Sequence, residues 1–198
     1  TNSVFIWGQS TSMPFKGYQE GKTVRLKLSH VHKIEENIEG VELVVPRSRR
    51  QAFVVRNFLS GNYGVNGDYP MLDQIQKKKM MNGRFINQND INLKRKVAVI
   101  SEDVYKQLFE KDEDPVGGYI QINSINFTVV GVFQNENVDM GPSSDIHIPF
   151  TTFQQIYNQG DRIGWMVVTG KAENNIKQIE EDIKLLLRNL NKIHPRDK

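Results

Sequence analysis

The chain has 198 residues and a mass of 22.8 kDa, with 38% hydrophobic and 25% charged residues and a mean hydropathy of −0.51, the make-up of a folded domain rather than a disordered tail. Its net charge of +3, from 26 basic and 23 acidic residues, is small and spread along the chain, which does not fit a dedicated nucleic-acid binder. The absence of cysteine excludes a disulfide framework, thiolate metal sites and a cysteine nucleophile, and no apolar run approaches the ~18 residues of a membrane span.

Residues 1–21 are polar and glycine-rich with scattered aromatics, and no period holds, so a loosely ordered lead-in is expected. A short strand is expected over 23–28. Ser29 then stands where a helix N-cap would, with Val31, Ile34 and Ile38 at helical spacing up to Gly40. Val41 to Val45 reads as a strand stopped by Pro46. Gln51 to Leu59 reads as a second strand, with Phe53, Val55 and Asn57 on one face and Val54, Arg56 and Phe58 on the other. Gly and Asn dominate 61–68, which suggests turns. A helical turn is expected over 70–75, and a strand over 76–81 ends at Asn82-Gly83.

Val97 to Ile100 is an apolar run typical of a strand covered on both faces. Ser101 caps a short helix with Glu102 and Asp103 in its first turn and Val104 and Leu108 on one face. Ile120 and Ile122 alternate with polar residues, a turn falls near Ser124, and the chain returns as an antiparallel partner over 126–133. Gly131 inside that strand predicts a bulge or a close backbone approach. A polar loop is expected over 135–144, then a strand with Ile146 and Ile148 on one face, closed by Pro149. Thr151 and Gln154 have capping-box spacing ahead of a short helix. After a strand over 165–169 comes the clearest element, a helix capped by Asn175 and Gln178. Ile176, Ile179, Ile183, Leu186, Leu187 and Leu190 form its apolar stripe.

Few residues point to chemistry. Of the four histidines, His30 and His32 are two apart, so a helix turns them away from each other. His147 is expected on the wetter face of its strand beside Asp145, and His194 follows a helix end. Asp139, Asp145 and Asp161 lack calcium-loop spacing. No phosphate-cradling glycine motif and no nucleophile elbow is present. The Arg47, Arg49 and Arg50 cluster, Lys77 to Lys79 and Lys94 to Lys96 flank strands, where they guard edges.

One ordered series goes further. It runs Gly83-Arg84-Phe85, Asp90, Val97 to Ser101, Leu108-Phe109, Asp114-Pro115-Val116-Gly117, Ile120-Gln121-Ile122, Phe127 to Val132 with Gly131, and Asp145 to Pro149. This series resembles the MacB-like periplasmic core domain of type VII (MacB-, LolE- and FtsX-like) ABC transporter permeases, over about residues 23–194. The resemblance implies an α+β, two-lobed ectodomain: a discontinuous porter-like lobe over 22–84 and 162–198, and an inserted sabre-like lobe over 85–161. It also implies an anchor helix before this segment and three after it, so that residues 1–198 would be an extracytoplasmic piece of an inner-membrane protein.

The same resemblance implies no catalytic residue and no cofactor or metal in this domain. ATP and Mg would be held by a separate nucleotide-binding domain or subunit. A second permease copy, and a periplasmic adaptor or substrate, would be the other partners, with no role for nucleic acid. Gly83, Arg84, Phe85, Asp90, Leu108, Phe109, Asp114, Pro115, Gly117, Gly131, Asp145 and Pro149 would then serve the fold. The function implied is transmission of motion from cytoplasmic ATP hydrolysis to a periplasmic substrate or partner. The competing expectation is a free periplasmic enzyme or ligand-binding domain, which would need a polar cleft with shifted titratable groups.

Overall fold

The computed structural model describes residues 2–134 and 145–197; the loop expected over 135–144, with Asp139, lies outside the described residues. In chain order the elements are β1 (Ser3–Trp7), α1 (Leu28–Asn37), β2 (Val41–Arg56), β3 (Leu59–Asp68), α2 (Leu72–Ile75), β4 (Met80–Gly83), α3 (Gln88–Asn92), β5 (Val97–Ser101), α4 (Glu102–Leu108), β6 (Tyr119–Ile122), β7 (Ile125–Phe133), β8 (Ile146–Pro149), α5 (Phe150–Ile156), β9 (Trp165–Gly170) and α6 (Ile176–Leu190). The chain divides into two compact units, Thr1–Arg47 with Gly160–Lys198, and Ser48–Gln159. The α+β class is therefore as the sequence implies.

The boundaries differ from those expected. The first falls after Arg47 rather than at Phe85, because the residues between them pair inside the second unit: Ser48 to Arg56 with β3, and β4 with β7.

In the first unit, β1 and the Val41–Arg47 part of β2 flank β9, both antiparallel to it. Opposed residues share a sheet face. Ile6 lies opposite Met166, and Val44 opposite Val168, and all four are buried. α6 packs on that face. Its Ile179, Ile183 and Leu187 repeat every four residues and are buried, and a methyl group added to Gly170 would stand 2.9 Å from Ile179 Cδ1. On the opposite face Trp7 lies across from Trp165, with ring centroids 4.8 Å apart and planes 19° from parallel, and the Arg47 guanidinium lies 5.1 Å from the Trp165 ring.

The lead-in expected over 1–21 is thus partly a sheet strand, held by that cross-strand aromatic pair. The strand expected over 23–28 is only two isolated bridges, Ser10 to Thr23 and Lys27 to Arg162. α1 starts two residues early, at Leu28, with Lys27 at its N-cap and the His30 Nδ1 atom accepting the Lys27 amide at 3.2 Å, so Ser29 is not the cap. Gly40 follows the helix at φ +82°, as a C-terminal glycine should. Asn175 caps α6 by accepting the Lys177 amide at 3.0 Å, whereas Gln178 bonds forward to Asp182.

In the second unit the strands close on themselves. β2 pairs with β3, β3 with β8, β8 with β5, β5 with β7, β7 with β6, and β6 returns to β2 at Val54–Ile122 and Val55–Gln121. The β3–β8 and β5–β7 pairs are parallel and the others antiparallel. β4 extends the β7 side. Val54, Val65, Ile100, Ile120, Ile122, Phe127, Val129 and Ile146 join one core, which Val104, Leu108 and Phe109 of the α4 region and Phe153 of α5 complete. β5 is buried along its whole length, as its apolar run predicts. Ser101 caps α4, its Oγ accepting the Val104 amide at 3.3 Å.

Three expectations give way here. β2 is one 16-residue strand that passes through Pro46, because its 41–47 stretch has β9 as its sole strand neighbour among the described residues and a missing amide is tolerated at an edge. The stretch 61–68 is strand rather than turn. The hairpin turns instead at Asn57-Phe58, with Asn57 at φ +51°, and the glycines of β3 admit neighbours: a Cβ on Gly67 would meet Phe153 Cβ at 2.5 Å. Thr151 does not cap α5. Pro149 holds that position, and the Thr151 hydroxyl donates to the Ile91 carbonyl at 2.6 Å.

Candidate functional site

Gly83, Arg84, Phe85, Asp90 and Gly131 converge in the second unit, where β4, the turn before α3, β7 and β8 meet. The β5–β7 register skips Val130, opposing Ala98 to Val129 and Val99 to Gly131, so the bulge expected at Gly131 is present. Its cause is a close backbone approach. A Cβ on Gly131 would lie 2.1 Å from the Arg84 carbonyl, and one on Gly83, at φ +69°, would lie 2.1 Å from the Val130 carbonyl.

Arg84 then reaches Asp90 in a two-pronged contact, Nη1 to Oδ2 at 2.6 Å and Nη2 to Oδ1 at 3.1 Å. Asp90 is fully buried. Its carboxylate also accepts the Asn87 amide at 3.0 Å, while the Asn87 side chain accepts the Asp90 amide, a reciprocal cap for α3. Burial pushes the Asp90 carboxyl up. The Arg84 hydrogen bond, the Asn87 amide and the charges of Arg84 and Arg95 outweigh it and hold the carboxyl below its ordinary range.

Phe85 packs edge-to-face with His147, with centroids 5.5 Å apart, and Phe133 does the same at 5.3 Å. His147 was expected on a wet face beside Asp145. It is fully buried, and its Nδ1 atom lies 2.6 Å from Oδ2 of Asp68. The parallel β3–β8 register brings the two together, setting Asn66 opposite His147 and Asp68 opposite Pro149. Asp145 instead accepts the Gly64 amide at 2.8 Å. Asp68 carried no sequence signal, since it lies 79 residues away. A dyad closed to solvent on both sides holds strands together; in this conformation neither group reaches a dissolved substrate.

The remaining motif residues are dispersed. Leu108 and Phe109 are core, and the Arg56 guanidinium lies 4.2 Å over the Phe109 ring while its Nη2 pairs with Glu113. Asp114 accepts the Val116 amide at 3.1 Å and the Asn82 side chain at 3.0 Å, ordering the Pro115-Val116-Gly117 turn, where Gly117 has φ +89°. His30 is buried at the start of α1, its pKa lowered by burial and by the Lys27 charge against the opposing Asp161; His32 is exposed beside Glu35. Among the described residues no group of three or more His, Asp or Glu side chains is placed to hold a metal ion.

The chain matches the family model of the MacB-like periplasmic core domain over residues 1–186. It belongs to that family. The core domain is 29% identical over 154 residues to the pyoverdine export ATP-binding/permease protein PvdT of Pseudomonas syringae pv. syringae, and 29% identical over 137 residues to the macrolide export ATP-binding/permease protein MacB of Bdellovibrio bacteriovorus. These matches take in 76% and 68% of the chain but 23% and 21% of the two relatives, so the chain spans about a quarter of their length or less.

Its fold is that of the periplasmic region of MacB from Actinobacillus actinomycetemcomitans, with a TM-score of 0.79 at 22% identity over 98% of this chain and 86% of that one. It is also that of the extracellular domain of the noncanonic ABC-type transporter YknZ from Gram-positive bacteria, with a TM-score of 0.82 at 15% identity over 100% and 98%. Among the described residues no helix is long and apolar enough to cross a membrane.

Proposed function

We propose that this core domain is the extracytoplasmic lever of an ABC-type permease, moved by membrane helices and passing that motion to a substrate or partner outside the membrane. The observation that carries the reading is that the first unit is built from both ends of the chain. β1 near one end and α6 near the other pack together, and β1 is zipped along its length to β9. Helices joined to either end would act on one body. α6 is fit to bear load: it runs 15 residues, is capped at Asn175 and buries Ile179, Ile183 and Leu187.

In this reading ATP and Mg bind a separate nucleotide-binding domain or subunit, as the ATP-binding/permease names of PvdT and MacB support. Two permease copies work against each other, an adaptor or cargo meets the domain in the periplasm, and the protein resides in the inner membrane. Nothing is asked of a catalytic side chain here, which accords with motif residues occupied in backbone approaches and buried pairs.

The test is a spin label on Lys177→Cys, an exposed position of α6, in the full-length transporter. Distances between the two copies are measured without nucleotide and with ATP trapped unhydrolysed. A shifted distance distribution is expected; identical distributions sink the lever.

A further inference from the structure

Among the described residues, no strand pairs with the outer edge of β1. The Asn2 carbonyl accepts the Gly170 amide at 3.0 Å, and the ladder runs on without a register break from Ser3 opposite Thr169 to Trp7 opposite Trp165. Bonded and non-bonded pairs alternate in an antiparallel ladder. Val4 and Ile6 therefore direct their backbone groups at β9, and Ser3, Phe5 and Trp7 direct theirs at the open edge.

Edges left open in this way are usually guarded by lysine, proline or a bulge. Ser3-Val4-Phe5-Ile6-Trp7 has none of these, and Phe5 and Trp7 are 44% and 55% exposed. Beside the strand runs a groove of about 400 Å³ of mixed character, its apolar part from Phe5, Ile6, Trp7, Leu26, Leu187 and Ile193 and its charged part from Glu180, Glu181, Lys184, Arg188 and Asp197.

We infer that β1 is a self-pairing edge, which β1 of a second copy joins antiparallel with Phe5 facing Phe5 across a two-fold axis. Strand addition of this kind draws affinity from backbone bonds and specificity from alternate side chains. The register follows from the outward row, because Phe5 is its centre and only a two-fold axis there engages Ser3, Phe5 and Trp7 of both copies. It sets small Ser3 against large Trp7. It also sets Ile6 against the second copy's Val4 on the groove side, one aliphatic side chain against another. The strand carries no charge, so two copies bring no like charges together along the new ladder despite the net +3 of each.

The inference rests on strand geometry and fails separately from the lever. Its test uses the chain itself, with no change in the Lys177 label distances implied. The chain has no cysteine, so single-cysteine variants report cleanly. Residues in a bonded antiparallel pair stand about 5.5 Å apart at Cα, within disulfide reach. Under mild oxidation Phe5→Cys should give several-fold more disulfide dimer than Leu190→Cys, a control on an exposed residue of α6. Sedimentation should show concentration-dependent dimers of the unaltered chain. These should be lost in Phe5→Pro, which removes one outward amide and leaves the β9 bonds, at unchanged circular dichroism. Equal cross-linking of Phe5→Cys and Leu190→Cys would overturn the inference, as would an unaltered chain that stays monomeric or a Phe5→Pro chain that still dimerises.

Discussion

His147 and Asp68 meet at 2.6 Å between the parallel strands β8 and β3, with neither side chain open to solvent. The rings of Phe85 and Phe133 pack edge-to-face with the imidazole. Removing one member of such a pair leaves the other buried in an apolar setting, while replacing both with apolar groups removes the problem altogether. Asp68→Ala and His147→Ala should each cost about 3–5 kcal/mol. The Asp68→Leu/His147→Leu double variant should cost clearly less than the sum of its single changes. Urea unfolding of the four-member cycle measures this, and strict additivity would count against a coupled pair.

Asp90 gives the fold an acid limit. Its pKa is lower folded than its ordinary 3.8, so the folded state binds the proton less well than the unfolded one. The stabilisation is complete above the ordinary value and is lost as pH falls through the folded one. Asp90→Asn should flatten that acid limb of the stability curve while lowering stability near neutrality. Arg84→Ala should cost about 1.5–3 kcal/mol at pH 7, the worth of hydrogen bonds to a charged group. Denaturant midpoints from pH 2 to 7 check both; parallel pH curves for Asp90→Asn and the unaltered chain would disprove the assignment.

Gly131 and Gly117 separate two reasons for glycine. A Cβ on Gly131 strikes the Arg84 carbonyl at 2.1 Å, whereas one on Gly117 meets nothing within 4 Å among the described residues, and the obstacle there is φ +89°. Gly117→Ala should cost about 1 kcal/mol for its left-handed backbone. Gly131→Ala should reach or exceed the ~1–3 kcal/mol of an overpacked core and should shift backbone resonances at Gly83 and Arg84. Equal costs for the two would argue against the close approach.

Ser101 is buried and caps α4 through the Val104 amide. Ser101→Ala should lose about 1 kcal/mol, and Ser101→Asp more, since a carboxylate caps as well as serine but is desolvated at this fully buried position. The two thermal melts compared with that of the unaltered chain decide it.

Elements with a complete local signature were legible in the sequence. α6 shows its stripe and Asn175 cap, β5 its unbroken apolar run, and β6 and β7 their alternation about a turn at Asn123 and Ser124, both at positive φ. What escaped depends on partners far along the chain. Val4 to Trp7 has no period because Trp7 is held by a stack on Trp165 rather than by burial. The glycines of β3 look like turn residues until Phe153 is seen against Gly67. His147 sits on the face that alternation assigns to water, yet β8 is covered on both faces. Its partner Asp68 could not be found by spacing. α3 was missed because its signal is one five-residue turn whose Asn87–Asp90 cap is reciprocal only in three dimensions. The motif residues were read from the family series, whereas the reason they cluster, two glycines admitting crossing backbones, needed coordinates.

The ring of pairings in the second unit has an evolutionary corollary. A sheet with a margin can gain or lose an outermost strand, but a circuit of six cannot change membership without breaking two ladders at once. Length variation between homologues should therefore gather at hairpin tips such as Asn57-Phe58 and Asn123-Ser124, where the backbone has already left the ladder, and spare the stretches in between.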